Sequence, residues 1–172
     1  MSTRTVDVGL TLGIGEAFTV VEARVVEGIS KLSHFEVELS SQDAIDFSGA
    51  LRGESALAIL FDGIPARTWS MRLAKGQLAG IEEGAMRYHL DFHPRLWFLR
   101  HTKNTRKFRN MNAQEIVSKV LSEGDVPFEW RITRTPPTRK YCVQYRESNL
   151  DFVLRLLEFE GIYYTLDRKS VV

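Results

Sequence analysis

Apolar and polar residues alternate over much of the first 93 positions of the chain. Period-two alternation is typical of strands that bury one face and expose the other. It predicts seven β segments at hairpin-like spacing and no long helix, and hence an antiparallel sheet rolled into a barrel or sandwich. The clearest segments span 6–12, 18–26, 30–40, 56–61, 64–73 and 86–92.

Turn-forming residues separate these segments. Asp62 and Gly63 form a two-residue hairpin signal, and the strand after them carries Pro65, which is tolerated only near a sheet edge. The stretch 41–53 favours a short helical turn closed by Gly53, and 75–84 is a glycine-containing connection. Pro94 then ends the last strand of this region.

From Pro94 onward the pattern becomes α+β. Asn112 and Glu115 have the spacing of a capping box, which predicts a helix near 112–122 that ends at Gly124. Its apolar face consists of Ile116, Val117, Val120 and Leu121. Alternation over 128–132 indicates a strand, and the proline-containing stretch 134–140 indicates a loop.

The segment 141–167 predicts a strand, a helix and a second strand with short joints. Tyr141, Val143 and Tyr145 lie on one side of the first strand, opposite the alternating set Cys142, Gln144 and Arg146. Ser148 is placed as the cap of a helix near 148–160, with Asp151 returning a hydrogen bond to the cap's backbone amide. Gly161 can take the left-handed conformation after the helix, and 162–166 is β-rich.

This second helix has an unusually wide apolar face. It contains Leu150, Val153, Leu154 and Leu157, widened by Phe152, Leu156 and Phe159. Only Arg155, Glu158 and Glu160 then remain for solvent, so we expect the helix to be nearly engulfed. A membrane or partner-helix role is the alternative, but the helix has few basic residues, and core burial is favoured.

Composition narrows the class of protein. The 172 residues are 44% hydrophobic and 26% charged, which is ordinary for a globular chain. The net charge of +1 gives no overall attraction to nucleic acid or anionic lipid. No apolar run reaches the roughly 18 residues of a membrane span, so stable insertion is not expected. Cys142 is the single cysteine, which excludes an intrachain disulfide or a thiolate cluster.

Candidate chemistry is sparse. His89, Asp91 and His93 share one face of a predicted strand and are the nearest approach to a metal site, but a solvated face explains them better. Glu158 and Glu160 point in different directions on a helix, which argues against a glycosidase carboxylate pair. The sequence has no nucleophile elbow and no phosphate-binding loop. We therefore expect no catalytic residues, no cofactor and no metal.

One segment concentrates positive charge. Residues 95–109 hold six basic side chains and no acid, interleaved with Trp97, Phe98 and Phe108. A linker with buried aromatic residues is the favoured interpretation. A surface that stacks bases and binds phosphates is the alternative, which would make the chain a nucleic-acid-binding module.

The chain resembles the VgrG family, the spike proteins of bacterial type VI secretion, which are related to the tail hubs of contractile phages; the signature lies within residues 141–167. The resemblance covers about residues 5–167. Its signature and structural residues are Tyr141, Gln144, Tyr145, Glu147, Ser148, Asp151, Phe152, Arg155, Leu156, Leu157, Gly161 and Tyr163. Two features depart from the family pattern, namely Phe159, where polar residues are usual, and the basic run 107–109.

This resemblance implies a structural role without catalysis. It implies a fold of α+β class, with a β-barrel-like hub domain at 1–93, an α+β segment at 94–172, and a larger hub region to which both belong. It also implies a homotrimer in the full-length form, with tail tube and baseplate proteins, a spike tip and effectors as partners and no nucleic acid. The expected location is cytoplasmic assembly followed by injection into a target cell. An accessory domain of a hydrolase is a further alternative.

Overall fold

The computed structural model describes residues 6–14, 17–51 and 53–166. The elements of that part are, in chain order, β1 (Val6–Thr11), β2 (Thr19–Val26), β3 (His34–Ser41), β4 (Ser55–Phe61), β5 (Ile64–Glu82), β6 (Ala85–His93), a 3₁₀ helix (Arg95–His101), β7 (Lys103–Met111), α1 (Ala113–Glu123), β8 (Arg139–Ser148) and α2 (Asn149–Phe159). They form two compact units. The first contains Met1–Glu27 and Ser33–Pro94, and the second contains Gly28–Leu32 and Arg95–Val172.

The first unit is a six-stranded antiparallel sheet in the order β1-β4-β5-β6-β3-β2. Its long strand β5 pairs with β4 through its first half and with β6 through its second half, with register shifts after Leu73 and Leu78. Bulges of this kind bend a strand and raise its twist, so one strand serves both halves of a curled sheet. The expected antiparallel, barrel-like α+β class is confirmed.

The expectation of seven β segments before residue 94 is wrong, because the described residues there form six strands. The stretch 75–84 is mostly the second half of β5 rather than a separate connection. It ends in a tight turn at Glu83 and Gly84, whose φ angles are 51° and 82°. The predicted hairpin at Asp62 and Gly63 is confirmed, with φ angles of 51° and 78°. Type I′ turns require positive φ at both positions, which glycine supplies at low cost.

The core of the first unit lies on the inner face of the sheet. Its buried residues are Leu12, Phe35, Val37, Leu39, Ile45, Ala50, Leu57, Trp69, Met71, Leu73, Tyr88, Leu90 and Phe92. The predicted third strand begins later than expected, at His34 rather than Ser30. Ser30 has a φ of 52°, and Leu32 packs against the core of the second unit. Residues 28–32 therefore belong to the second unit, although the prediction placed them in a first domain that ends at residue 93.

The second unit packs its helices against the β7–β8 ribbon around one core. The buried members are Leu96, Leu99, Phe108, Ile116, Val117, Val120, Leu121, Val126, Cys142, Leu150, Phe152, Val153, Leu156, Leu157 and Tyr164. The capping box of α1 is confirmed: the Glu115 amide donates to the Asn112 side chain at 2.9 Å, and the Asn112 amide donates to the Glu115 carboxylate at 2.8 Å. Glycine suits position 124, directly after α1, because the Cβ of any other residue there would lie 2.2 Å from Leu99 Cδ2.

Two predicted strands of the second unit are wrong. The stretches 128–132 and 162–166 are irregular, except that Phe128 and Leu166 are single bridge residues. The amide of Ser30 donates to the Tyr164 carbonyl at 2.8 Å, so this backbone is held locally without a ladder. The β-α-β unit is also wrong, since β8 pairs with β7 and no described strand follows α2.

The basic segment 95–109 is a 3₁₀ helix and most of β7 rather than a linker. Leu96, Leu99 and Phe108 anchor it in the core. The strand was missed because its pattern is almost wholly polar, and a polar strand has little hydrophobic periodicity. No helix in the described residues is long and apolar enough to cross a membrane.

The buried apolar face of α2 is narrower than the sequence pattern predicts. Phe159 is 77% exposed, and Leu154 is only half-buried. Glu160, assigned to solvent from the sequence, forms an ion pair with Arg139 at 2.5 Å, and only 6% of its side chain is exposed. The guanidinium of Arg139 also lies over the Phe159 ring, 4.6 Å from its centroid. The aromatic departure from the family pattern therefore sits on the surface and disturbs no packing.

Candidate functional site

Strand β8 buries the side opposite to the one that its aromatic residues suggest. Cys142 and Gln144 face the core, and Gln144 is 0% exposed. Tyr141 and Tyr145 are 56% and 63% exposed, and Val143 between them is also exposed. Hydrophobicity alone favours the reverse orientation, because Tyr and Val are the more apolar set. Hydrogen bonding explains the observed one.

The buried side of β8 carries a polar network centred on Gln144. Its Oε1 accepts from Arg106 Nε at 2.8 Å, and its Nε2 donates to Asn149 Oδ1 at 2.9 Å and to the Glu147 carbonyl at 3.2 Å. Asn104 Nδ2 donates to the same Asn149 oxygen at 2.9 Å. The Gln144 carboxamide thus uses its acceptor and both donors, which offsets the cost of burying it. The network joins β7, β8 and the start of α2.

Arg106 extends this network to α1. Its Nη1 forms an ion pair with Glu123, which also lies 3.3 Å from Lys119 Nζ. The hydrogen bond from Arg106 holds the pKa of the Glu123 carboxyl below its usual range. A guanidinium placed against both an amide and a carboxylate fixes the ribbon relative to both helices.

The ends of α2 are fixed by signature residues. The Asp151 amide donates to Ser148 Oγ at 3.0 Å, which confirms Ser148 as the cap. Asp151 was expected to accept from the cap's backbone amide, but it accepts from the Ser148 hydroxyl instead, at 2.6 Å. At the other end Gly161 has a φ of 68°, and the amides of Gly161 and Ile162 donate to Glu158 and Leu157. This pair of bonds is a Schellman motif.

A surface ion pair joins α2 to β8. Arg155 Nη2 and Nε contact the two carboxylate oxygens of Glu147 at 2.5 Å and 3.1 Å. The same guanidinium donates to the Val143 carbonyl at 3.3 Å. The bond to Glu147 raises the pKa of Arg155 above its already high ordinary value. This bidentate contact ties the helix to the strand that precedes it.

The outer face of the β7–β8 ribbon mixes aromatic and basic side chains. In the ladder Tyr141 lies opposite Arg109, and Val143 lies opposite Lys107. The Arg109 guanidinium is 5.1 Å from the Tyr141 ring centroid, and that of Arg146 is 5.4 Å from the Tyr145 ring. Cation–π contacts stabilise such a surface only modestly in water, so intramolecular packing does not account for three exposed apolar residues in one row.

The twelve signature residues therefore separate into three groups. The first packs in the core or its polar network, the second forms caps and ion pairs, and the third is exposed. The core and network group contains Gln144, Phe152, Leu156 and Leu157. The group of caps and ion pairs contains Glu147, Ser148, Asp151, Arg155 and Gly161. The exposed group contains Tyr141, Tyr145 and Tyr163. No catalytic arrangement of side chains emerges from them.

The basic segment does not form one continuous cationic surface. Arg95 pairs with Asp125 at 2.5 Å, and Arg106 points into the polar network. Arg100 lies over the Trp97 ring, 4.7 Å from its centroid. Lys103, Lys107 and Arg109 remain on the exposed side of β7. The charges are thus divided among ion pairs, a cation–π contact and the ribbon, which weakens the nucleic-acid hypothesis.

The polar side chains of β6, including His89 and His93, lie on the outer face of the first-unit sheet. His89, Asp91 and His93 do not converge on one point. His89 approaches Glu38 at 3.8 Å, Asp91 approaches His34 at 3.6 Å, and the His93 ring stacks on His34 with centroids 4.8 Å apart. The neighbouring strand β3 therefore supplies the partners that the sequence pattern of β6 alone did not indicate.

Comparison with known proteins identifies the family. Residues 26–171 match the model of the phage tail baseplate hub (GPD) family, which is most of the chain. The chain belongs to that family. The match covers α1, β8, α2 and most of the first-unit sheet. The VgrG resemblance inferred from the signature residues is confirmed by relatives among the spike proteins.

Two spike proteins and one solved structure illustrate the similarity. The type VI secretion system spike proteins VgrG1c and VgrG1b of Pseudomonas aeruginosa are 36% and 34% identical to this chain, over 80% and 84% of its length. The chain spans only 19% and 20% of their lengths. An E. coli type VI secretion component, itself similar to T4 bacteriophage tail proteins gp27 and gp5, matches with a TM-score of 0.82 and 23% identity, covering 96% of this chain and 47% of that one.

Proposed function

We propose that this chain acts as the amino-terminal part of a VgrG-like spike or tail hub in a contractile injection apparatus. It carries load and makes contacts but performs no turnover. Family membership gives the class of protein, and the observation that carries the assembly role is the exposed row of Tyr141, Val143 and Tyr145 on β8. An aromatic and basic face outside the core is typical of a protein contact surface.

The ribbon geometry supports this role. A two-stranded ribbon is marginal alone, and both of its outer edges lack a neighbouring strand within the described residues. Here the core, the Gln144 network and the Arg155–Glu147 pair stabilise its inner side. The outer face is thereby held rigid, which lowers the entropic cost of binding a partner.

The proposed assembly is a homotrimer, with tail tube and baseplate proteins, a spike tip and effectors as further partners. Assembly takes place in the cytoplasm, and the contractile apparatus then delivers the spike to its target. In a ring of three copies the contacts are heterologous, so the ribbon of one copy meets a different surface of the next. Such contacts transmit thrust through complementary rigid surfaces.

Light scattering across a concentration series tests the proposal. We expect the mass to rise from the 19.7 kDa monomer toward three times that value as concentration increases. Replacing Tyr141 and Tyr145 together by Ser should suppress the rise, whereas the matched control Tyr163→Ser, an exposed tyrosine outside the ribbon, should not. A monomer at all concentrations would contradict the trimer, and an unaffected double variant would exclude the ribbon as the contact surface.

A further inference from the structure

The outer face of the first-unit sheet gathers histidine and carboxylate side chains from β3 and β6. His34 and Glu36 lie two residues apart on β3 and so share a face, and Glu36 is the direct cross-strand partner of Asp91 on β6. His34 Nε2 lies 3.6 Å from Asp91 Oδ1, and His34 Nδ1 lies 3.8 Å from Glu36 Oε1. One ligand atom from each of the three residues lies within 4.8 Å of the others.

We propose that His34, Glu36 and Asp91 form a binding site for a first-row divalent cation of the Zn²⁺ class. One imidazole nitrogen and two carboxylate oxygens are a donor set that Zn²⁺ accepts, and water completes the tetrahedron. Ligand bonds of about 2.0 to 2.2 Å at tetrahedral angles place ligand atoms about 3.3 to 3.6 Å apart, so side-chain rotations must draw the three atoms together from separations of up to 4.8 Å. All three side chains are partly exposed, and the two carboxylates can rotate toward the imidazole.

The electrostatics favour a cation at this point. Glu36 and Asp91 are like charges placed directly opposite each other, which destabilises a strand pair. Each has a basic residue as its ladder partner on the other side, Arg24 for Glu36 and Lys75 for Asp91, so a cation bound between the two carboxylates would add to a partial charge balance. Arg24 Nη1 contacts the other Glu36 oxygen at 3.8 Å and leaves Oε1 facing His34. Arg24 therefore balances part of the charge without occupying the space among the three ligand atoms.

The surroundings orient the ligands. The His93 ring stacks on His34 with centroids 4.8 Å apart and an interplanar angle of 10°, which restricts rotation of the His34 imidazole. A cleft of about 330 Å³ opens beside the two carboxylates; Glu36 and Asp91 line it together with Arg24, Glu38 and His89, and His34 lies outside this lining. The carboxylate side of the site is thus open to solvent, which gives a cation an entry path.

Titration calorimetry of the tag-free chain with ZnCl₂ tests the site. We expect saturable binding of one Zn²⁺ per chain, weakened at least tenfold by each of His34→Gln, Glu36→Gln and Asp91→Asn. Glu38→Gln is the matched control, because Glu38 is also a β3 carboxylate opposite a β6 residue and contacts His89 at 3.8 Å. This control should bind as the original chain does, and MgCl₂ should not compete.

A second measurement separates ligation from general charge attraction. Zinc should shift the His34 imidazole nitrogen resonances in an NMR spectrum and leave those of His101 unchanged. Absence of saturable binding, or equal weakening by Glu38→Gln, would overturn the proposal and leave His34 as an ion-pair partner of the two carboxylates. This outcome is independent of the trimer measurement, which concerns the second unit.

Discussion

Replacing Gln144 by Leu should destabilise the second unit although the new side chain is similar in size and more apolar. The change removes a hydrogen bond accepted from Arg106 at 2.8 Å and two donated to Asn149 and Glu147 at 2.9 and 3.2 Å. These partners lie at the junction of the ribbon with α2. The core therefore loses polar partners at a point where water cannot replace them.

The magnitude follows from the kind of bond. The bond from the Arg106 guanidinium is charge-assisted and contributes about 1.5 to 3 kcal/mol, and each neutral bond contributes about 0.5 to 1.5 kcal/mol. Asn149 keeps its bond from Asn104, and Arg106 keeps Glu123, so not every partner is orphaned. The leucine also gains some hydrophobic burial. We expect a net loss of about 2 to 4 kcal/mol in the free energy of unfolding of this unit.

Hydrogen exchange measured by mass spectrometry reads this effect locally, without a signal from the first unit. A loss of 2 to 4 kcal/mol corresponds to about 30-fold to 900-fold faster exchange of the most protected amides in β8 and α2. Val143→Leu, at the adjacent outward position, is the control and should leave exchange nearly unchanged. If Gln144→Leu accelerated exchange less than about twofold, the network would have no stabilising role.

Four further substitutions test the helices of the second unit. Leu156→Ala, at a fully buried position, should cost about 2 to 5 kcal/mol in urea unfolding, and a loss below half a kcal/mol would contradict the packing. Gly124→Ala should cost about 1 to 3 kcal/mol of stability because the new Cβ would clash with Leu99. Gly161→Ala should cost about 1 to 2 kcal/mol because the residue has a left-handed backbone conformation. Differential scanning calorimetry compares the two variants, and a gain in stability for either would refute its explanation. Folding lowers the pKa of Glu123, so its ion pair with Arg106 stabilises the folded state at pH values above the unfolded pKa of 4.5. This stabilisation is lost as the pH falls through the lower pKa of the folded state. Glu123→Gln should therefore flatten the dependence of the melting temperature on pH as the pH falls below 4.5, and an unchanged slope would refute the role of this carboxylate.

Local signals predicted the helices well. The boundaries of α1 and α2 followed from Asn112, Ser148 and Gly161, because capping depends on residues within one turn of the helix end. The hairpin at Asp62 and Gly63 followed for the same reason. The family resemblance rested on an ordered set of such local features, and the match to the hub family bears it out.

Strand pairing was less predictable. The stretches 128–132 and 162–166 alternate as strands do but lie in irregular backbone, whereas the polar stretch 103–111 is a strand. A strand exists only where a partner supplies ladder hydrogen bonds, and β8 supplies them to β7. Likewise Leu154, placed from the sequence on the central apolar face, is half-buried, because the position of the neighbouring elements decides which part of a wide face is covered.

The sequence by itself determined the class of fold, the ends of both helices and the family, since these depend on residue type and short spacing. Only the tertiary structure decided which face of β8 is buried. Alternation shows that two faces differ, but the burial of Gln144 depends on Arg106 and Asn149, which come from other elements. The same holds for His34, Glu36 and Asp91, because cross-strand register, rather than sequence spacing, brings their ligand atoms together.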